Sequence, residues 1–212
     1  MDRDGSRPRG ETFSGSCMDA AGRFWPRRRV FVTGCTGHLG GPAVQALVAA
    51  GADVACLVRE QPGPGFFFEH KLHLKVRVVR GRIEDRPRLE TALAIYDPAV
   101  ILHLAKPRAE SPHETNGTFA WTLLAAARIA APAATVVFPS PLDRTRQDDV
   151  VDGFRTTTTN PLGVARLPAV GTTPTAAEAA AFLLSLAERL ATGPTAGRLT
   201  LTWPGSAAKA AA

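Results

Sequence analysis

Cysteine, tyrosine and long apolar runs are all scarce in this chain of 212 residues. The three cysteines, Cys17, Cys35 and Cys56, are odd in number and lack the paired spacing of a metal ribbon or redox motif. That pattern excludes a disulfide framework and suits free thiols, so a reducing, cytoplasmic location is expected. No stretch reaches the roughly 18–20 apolar residues that cross a bilayer, and the basic N-terminus lacks the apolar centre of a secretory signal. No membrane partner is expected. His70 and His73 lie three residues apart with no second pair or carboxylate cluster, and Asp148, Asp149 and Asp152 read as solvated loop groups, so no metal is expected. The chain also has no internal repeat, which excludes a solenoid.

Composition otherwise fits one globular core, with 45% hydrophobic and 21% charged residues. The net charge of +6 is concentrated at the front, where Arg3, Arg7, Arg9, Arg23, Arg27, Arg28 and Arg29 all lie. Nucleic acid is the least favoured partner, because such a balance also suits phosphate-bearing ligands. Residues 1–24 lack periodicity and read as a disordered lead, within which Met18 offers an alternative start.

From Arg29 onward, short β-rich apolar runs alternate with helical periods. Strands are expected at 29–33, 54–58, 76–79, 100–104 and 135–138, with helices at 39–50, 87–95 and 113–130. The glycine- and proline-rich stretch at 61–65 reads as loop. The polar stretch at 140–162 reads as a long loop too. A weak strand at 163–167, an amphipathic helix at 176–191 and a last strand at 198–203 follow. This alternation predicts an α/β fold, a Rossmann-like doubly wound parallel sheet with a truncated C-terminal portion. The expected divisions are the lead at 1–24, a dinucleotide-binding domain at 25–139, a shortened part at 140–203 and a disordered tail at 204–212.

Thr33-Gly34-Cys35-Thr36-Gly37-His38-Leu39-Gly40 is the most informative segment. Its glycines are spaced GxxGxxG between a strand and a helix. One glycine permits a tight turn, one lets backbone approach a pyrophosphate, and one lets the helix pack on the sheet. Free N–H groups at the helix start then hold phosphates. Gly34, Thr36, Gly37, His38, Leu39 and Gly40 are therefore candidate cofactor-binding residues, a structural turn being the alternative. The second strand ends at Val58-Arg59, where an acid would bind ribose hydroxyls. Arg59 either pairs with a 2′-phosphate, which leans the expectation from NAD towards NADP, or is a solvated arginine.

With these residues placed, the chain resembles the NAD-dependent epimerase/dehydratase family of nucleotide-sugar enzymes, nearest to the CDP-glucose 4,6-dehydratase type. Phe24-Trp25, the Thr-Gly-x-Thr-Gly loop, His103-Leu104-Ala105, Glu114-Thr115-Asn116 and the run 123–128 match in order and spacing. The resemblance implies that His103 and Ala105 lie along the cofactor, His103 being otherwise a strand-end histidine satisfied by neighbours. It also implies a catalytic Tyr-x-x-x-Lys pair and a hydroxyl after the fifth strand. The chain departs from that pattern. Its one tyrosine is Tyr96, before the fourth strand, and no Tyr-x-x-x-Lys follows Ser140, as though the catalytic helix were deleted. Ser140 is the one remnant candidate for catalysis. Gly81-Arg82 stands where the family has Gly-Asp, and Lys106-Pro107 where it has a small residue.

Three functions compete. One is a pseudoenzyme that binds NAD or NADP without turnover. Another is an epimerase, dehydratase or reductase of nucleotide sugars using Lys106, His113 or Ser140 as a substitute acid. The third is a nucleic-acid-associated protein acting through its basic front. Homo-oligomers fit any of them. So does a partner covering the sheet face left bare by the missing crossover helix.

Overall fold

A computed structural model describes residues 24–106, 116–141, 146–154, 157–168, 174–193 and 198–204. The expectations for residues 1–23, for His113, Glu114 and Thr115 and for residues 205–212 lie outside these. Seven strands form one parallel sheet: β1 (Arg29–Thr33), β2 (Asp53–Val58), β3 (Arg77–Arg80), β4 (Val100–His103), β5 (Thr135–Pro141), β6 (Leu162–Leu167) and β7 (Arg198–Thr202). Their order is β3-β2-β1-β4-β5-β6-β7. The chain winds outward from β1 to β3, then returns to place β4 on the other side of β1. The Rossmann-like sheet is as expected.

The strands read as near-continuous apolar runs because helices cover both faces. On one face Val30, Val32, Cys56, Val100 and Leu102 pack beneath α1 (Gly40–Ala49) and α6 (Ala176–Thr192). On the other, Phe31, Ala55, Ile101, Val136 and Phe138 pack beneath α3 (Arg86–Tyr96), α4 (Asn116–Ala130) and α5 (Arg146–Phe154). The short helix α2 (Phe66–Glu69) lies between β2 and β3, with Phe67 fully buried. The phenylalanine run thus docks on the core edge, and Phe66 packs against Gly41 in the first turn of α1.

Helix α5 corrects the sequence reading. It stands within residues expected to be loop, in the crossover that was thought deleted, and it packs against α4. The sheet face beneath it is therefore covered by the chain itself. Its apolar signal is weak because its inward face is largely polar. Gln147 and Asp148 are buried there alongside Val151, and the Gln147 side-chain amide donates to the Pro139 carbonyl at 2.8 Å. A search for apolar residues at helical spacing passes over such a helix.

Helix α6 is the opposite case. Ala180, Leu183, Leu184, Ala187 and Leu190 form a buried stripe. Thr175 caps it and Glu178 reaches back to the Thr175 N–H at 2.7 Å, closing a capping box. Replacing Thr175 by alanine is expected to cost about 1 kcal/mol in urea unfolding, with no change in the unfolding slope.

Candidate functional site

The winding reverses between β1 and β4, and the crevice above their C-terminal ends is where open α/β sheets take ligands. Two connections meet there: the glycine loop after β1 and Leu104-Ala105-Lys106 after β4. They meet at van der Waals limits. Gly34 has φ of +73°, and a Cβ there would collide with the Leu104–Ala105 peptide. A Cβ on Gly40 would collide with the Gly34 carbonyl. Gly37 differs, since its Cβ would meet only the Gly34 oxygen, at 3.2 Å. Its N–H donates to that same carbonyl at 2.9 Å and closes the turn. Gly34 and Gly40 thus serve packing, while Gly37 leaves room towards the crevice.

Helix α1 begins at Gly40 behind Leu39, whose side chain offers no capping acceptor. Its positive end is therefore open to an anion from outside the helix. In front of it lies a cavity of about 540 Å³, of the size that holds a cofactor. Gly34, Thr36, Gly37, His38, Leu39, Arg59 and Ala105 line it, as do Lys106 and the stretch 81–84. Arg59 also lines an adjoining cavity of about 330 Å³ together with Arg82 and Arg88. Arg59 and Arg88 belong to none of the ion pairs among the described residues.

Two predicted residues stand behind the wall rather than in it. Gly40 supports the loop from beneath. His103 is 1% exposed, and its Nδ1 pairs with the Thr33 hydroxyl at 2.9 Å. Its ring meets the edge of Phe138. Burial pushes its pKa from 6.5 down to about 3, so the ring is neutral. It reaches the cavity only through Thr33, which lines it.

Sequence reading missed a carboxylate. Arg82 occupies the place of the expected acid after β3, yet Glu84 lines the same cavity and binds Arg82 at 3.1 Å. The turn after Gly81, which returns Glu84 beside Arg82, has no periodic signature. Phe119, from the Ala/Leu-rich α4, is also in the wall and was indistinguishable from core residues by spacing.

Ser140 and Tyr96 are both engaged elsewhere. The Ser140 hydroxyl donates to Asp148 Oδ2 at 2.9 Å, and Arg166 donates to both, at 3.2 and 3.0 Å. Asp148, expected to be solvated, is 1% exposed because α5 carries it onto the sheet opposite Arg166. Register pairs Ser140 with Arg166, so two adjacent strands and one helix share this buried ion pair. Tyr96 lies at the opposite end of the strands, where its hydroxyl donates to the Asp53 carbonyl at 2.6 Å. Burial raises its pKa above the usual phenol range. His70 stacks on Phe66, and His73 packs near Phe68.

The sequence pattern of the NAD dependent epimerase/dehydratase family matches residues 30–154. The oxidase ucsJ of an Acremonium species is 38% identical over 72 residues, 33% of this chain and 20% of that protein. UDP-glucose 4-epimerase from Brucella ovis, solved with NAD, superposes with a TM-score of 0.54 at 17% identity, over 66% of this chain and 51% of its own. Bordetella bronchiseptica WbmH, solved with NAD+, gives 0.52 at 18% identity, over 66% and 56%. NADH-dependent reductase A1-R′, solved with NAD, gives 0.63 at 15% identity, over 84% of this chain and 95% of its own. The chain thus spans a fifth of the curated relative and about half of the Brucella epimerase and of WbmH. At such identities the structures establish fold alone. Among the described residues no helix is long and apolar enough to cross a membrane.

Two predictions follow from the geometry. Gly40→Ala is expected to destabilise the protein by about 1–3 kcal/mol through overpacking, and by more than Gly37→Ala, whose added Cβ would meet the Gly34 oxygen at 3.2 Å rather than collide with it; matched urea curves would show it. His103 gives a pH signature. Its folded pKa of about 3 lies below its unfolded 6.5, so stability from the neutral ring is full above pH 6.5 and falls as pH drops towards 3. The slope is about 1.4 kcal/mol per unit. Urea unfolding between about pH 6 and pH 4 should show a shallower slope in His103→Asn than in the parent chain.

Proposed function

This chain belongs to the NAD dependent epimerase/dehydratase family, and we propose that it binds NAD or NADP without the family's Tyr/Lys catalysis, as a binding or regulatory member. The observation that carries the reading is the open helix N-terminus facing a cofactor-sized cavity with a glycine wall at Gly37. Thr36, Gly37, His38 and Leu39 would hold the pyrophosphate by backbone N–H groups and the α1 dipole. Ala105 and Lys106 would lie along the nicotinamide side. When bound, the nicotinamide supplies hydride-transfer chemistry.

Arg59, Arg82 and Arg88 support NADP over NAD. They converge on the small cavity adjoining the main one, where Glu60 and Asp85 are the acids that line it. Arg59 and Arg88, which join no ion pair among the described residues, favour a phosphate there, which guanidinium groups bind in bidentate fashion. Glu84, held by Arg82 at 3.1 Å, is the carboxylate of the main cavity that would meet a base or ribose.

The loss of turnover rests on two engaged hydroxyls. Ser140 is buried under the Asp148–Arg166 pair, and Tyr96, the chain's one tyrosine, lies at the far end of the sheet. One observation favours a second reading, a compact NAD(P)-dependent reductase. The reductase A1-R′ is covered over 95% of its length by this chain, and the exposed side chain of Lys106 lines the cavity.

Titration calorimetry with NAD+, NADH, NADP+ and NADPH tests the proposal. Binding is expected for the parent chain and lost in Gly37→Val, whose side chain fills the phosphate space. Arg59→Asp should lower the NADP+/NAD+ preference by about tenfold, the factor that 1.4 kcal/mol represents. A folded parent chain that binds none of the four would refute it.

A further inference from the structure

Away from the crevice, the sheet ends on β3, which pairs only with β2 among the described residues. An edge strand offers a row of backbone N–H and C=O groups to any extended chain. In β3 that row carries Arg77-Val78-Val79-Arg80, with both valines half-buried and both arginines exposed. Register with β2 puts Arg77 and Val79 on one face and Val78 and Arg80 on the other. Each face therefore presents one apolar and one cationic side chain.

The surroundings continue this pattern. Beside β3 on the α3 face lies a groove of about 550 Å³, with Ala55, Val79, Ala92 and Ile95 as its apolar lining. Ile95 is 81% exposed. On the other side Leu74, from the 3-10 turn Leu72–Leu74 that contacts β3, is 72% exposed. The charged groups of the groove are Arg29, Arg77, Arg80 and Arg88 against the single acid Asp53. Asp53 is taken by Arg77, and Arg29 is taken by Asp97, while Arg80 and Arg88 join no ion pair among the described residues. Among the described residues Arg80 donates to the Arg59 carbonyl, at 3.2 Å.

A second copy of the chain fits this edge poorly. In a two-fold antiparallel pair of β3 strands an arginine faces a valine and lies diagonal to its own copy, Arg77 to Arg77 or Arg80 to Arg80, and like charges within reach of one another oppose the pairing. The charge that repels a copy selects an acidic partner. We propose that the outer edge of β3, with the groove beside it, receives an extended segment of a partner protein as an added strand. Its sequence would be acid, β-branched, β-branched, acid, the complement of Arg77 to Arg80. The valines and Ile95 are then covered, Arg80 gains a partner, the Arg77–Asp53 pair gains a second acid, and main-chain hydrogen bonds supply the affinity.

The probe is a short fluorescein-labelled peptide centred on Glu-Val-Val-Glu, read by anisotropy and by backbone amide exchange. Binding that weakens with salt, with slowed exchange over residues 77–80, is expected. A Lys-Val-Val-Lys peptide should bind at least tenfold more weakly. The Arg77→Glu/Arg80→Glu variant should reverse that order while keeping its circular dichroism and melting temperature. If that variant unfolds, Ile95→Ser on the exposed helix face should weaken the acidic peptide alone. The proposal is overturned by no binding, by equal binding of both peptides, or by binding that leaves exchange at 77–80 unchanged. Protection appearing at β7 instead would overturn it equally.

Discussion

The contact between Gly34 and the Leu104–Ala105 peptide sets the geometry of the whole upper end of the sheet. It fixes how closely the turn after β1 approaches the turn after β4, and hence the width of the crevice between them. Gly40 repeats the constraint one helical step later, against the Gly34 carbonyl. With both positions closed to side chains, the start of α1 is held against the strand it follows. Its N–H groups must then face outward. The open helix end beside the cavity is therefore a by-product of packing that has little freedom to change.

The interior polar groups divide by cost. Thr33 and His103 Nδ1 share a hydrogen bond without charge, the buried Nε2 has no partner among the described residues, and burial keeps the ring neutral. Asp148 and Arg166 are different, because a buried ion pair seldom repays its desolvation against an apolar replacement. Such a pair is poor evidence for stability. It is good evidence for position, since it accepts one placement of α5 relative to β5 and β6. The hydroxyl of Ser140 is drawn into that arrangement and contributes to holding the helix.

Legibility in the sequence followed how each element meets the core. Strands such as 29–33 and 100–104 were readable because both faces are apolar. The amphipathic helix near the end showed a clean stripe through Leu183 and Leu190. Helix α5 was not readable, because Gln147 and Asp148 take core positions and their partners, Pro139 and Arg166, lie on strands outside the helix. In the site, the glycine spacing showed where the loop would be. It could not reveal which glycines pack and which leave space. Arg59 was reachable by counting along a strand. Glu84 and Phe119 were not, since their approach to the cavity depends on a turn after β3 and on the direction in which α4 enters.

The central strand β1 is flanked by β2, close behind it, and by β4, whose residues pair with it about seventy positions later. The bond between Thr33 and His103 spans that same separation. Contacts of such long range are slow to form, because the intervening chain must be closed before they return any energy. During synthesis, residues 29–80 can assemble three strands, yet the floor and one wall of the cavity are missing until Leu104 and Ala105 emerge. A nascent or truncated chain ending before them would therefore present a glycine loop with nothing behind it. The cavity is thus tied to completion of β4, and a ribosome-bound intermediate would lack it until then.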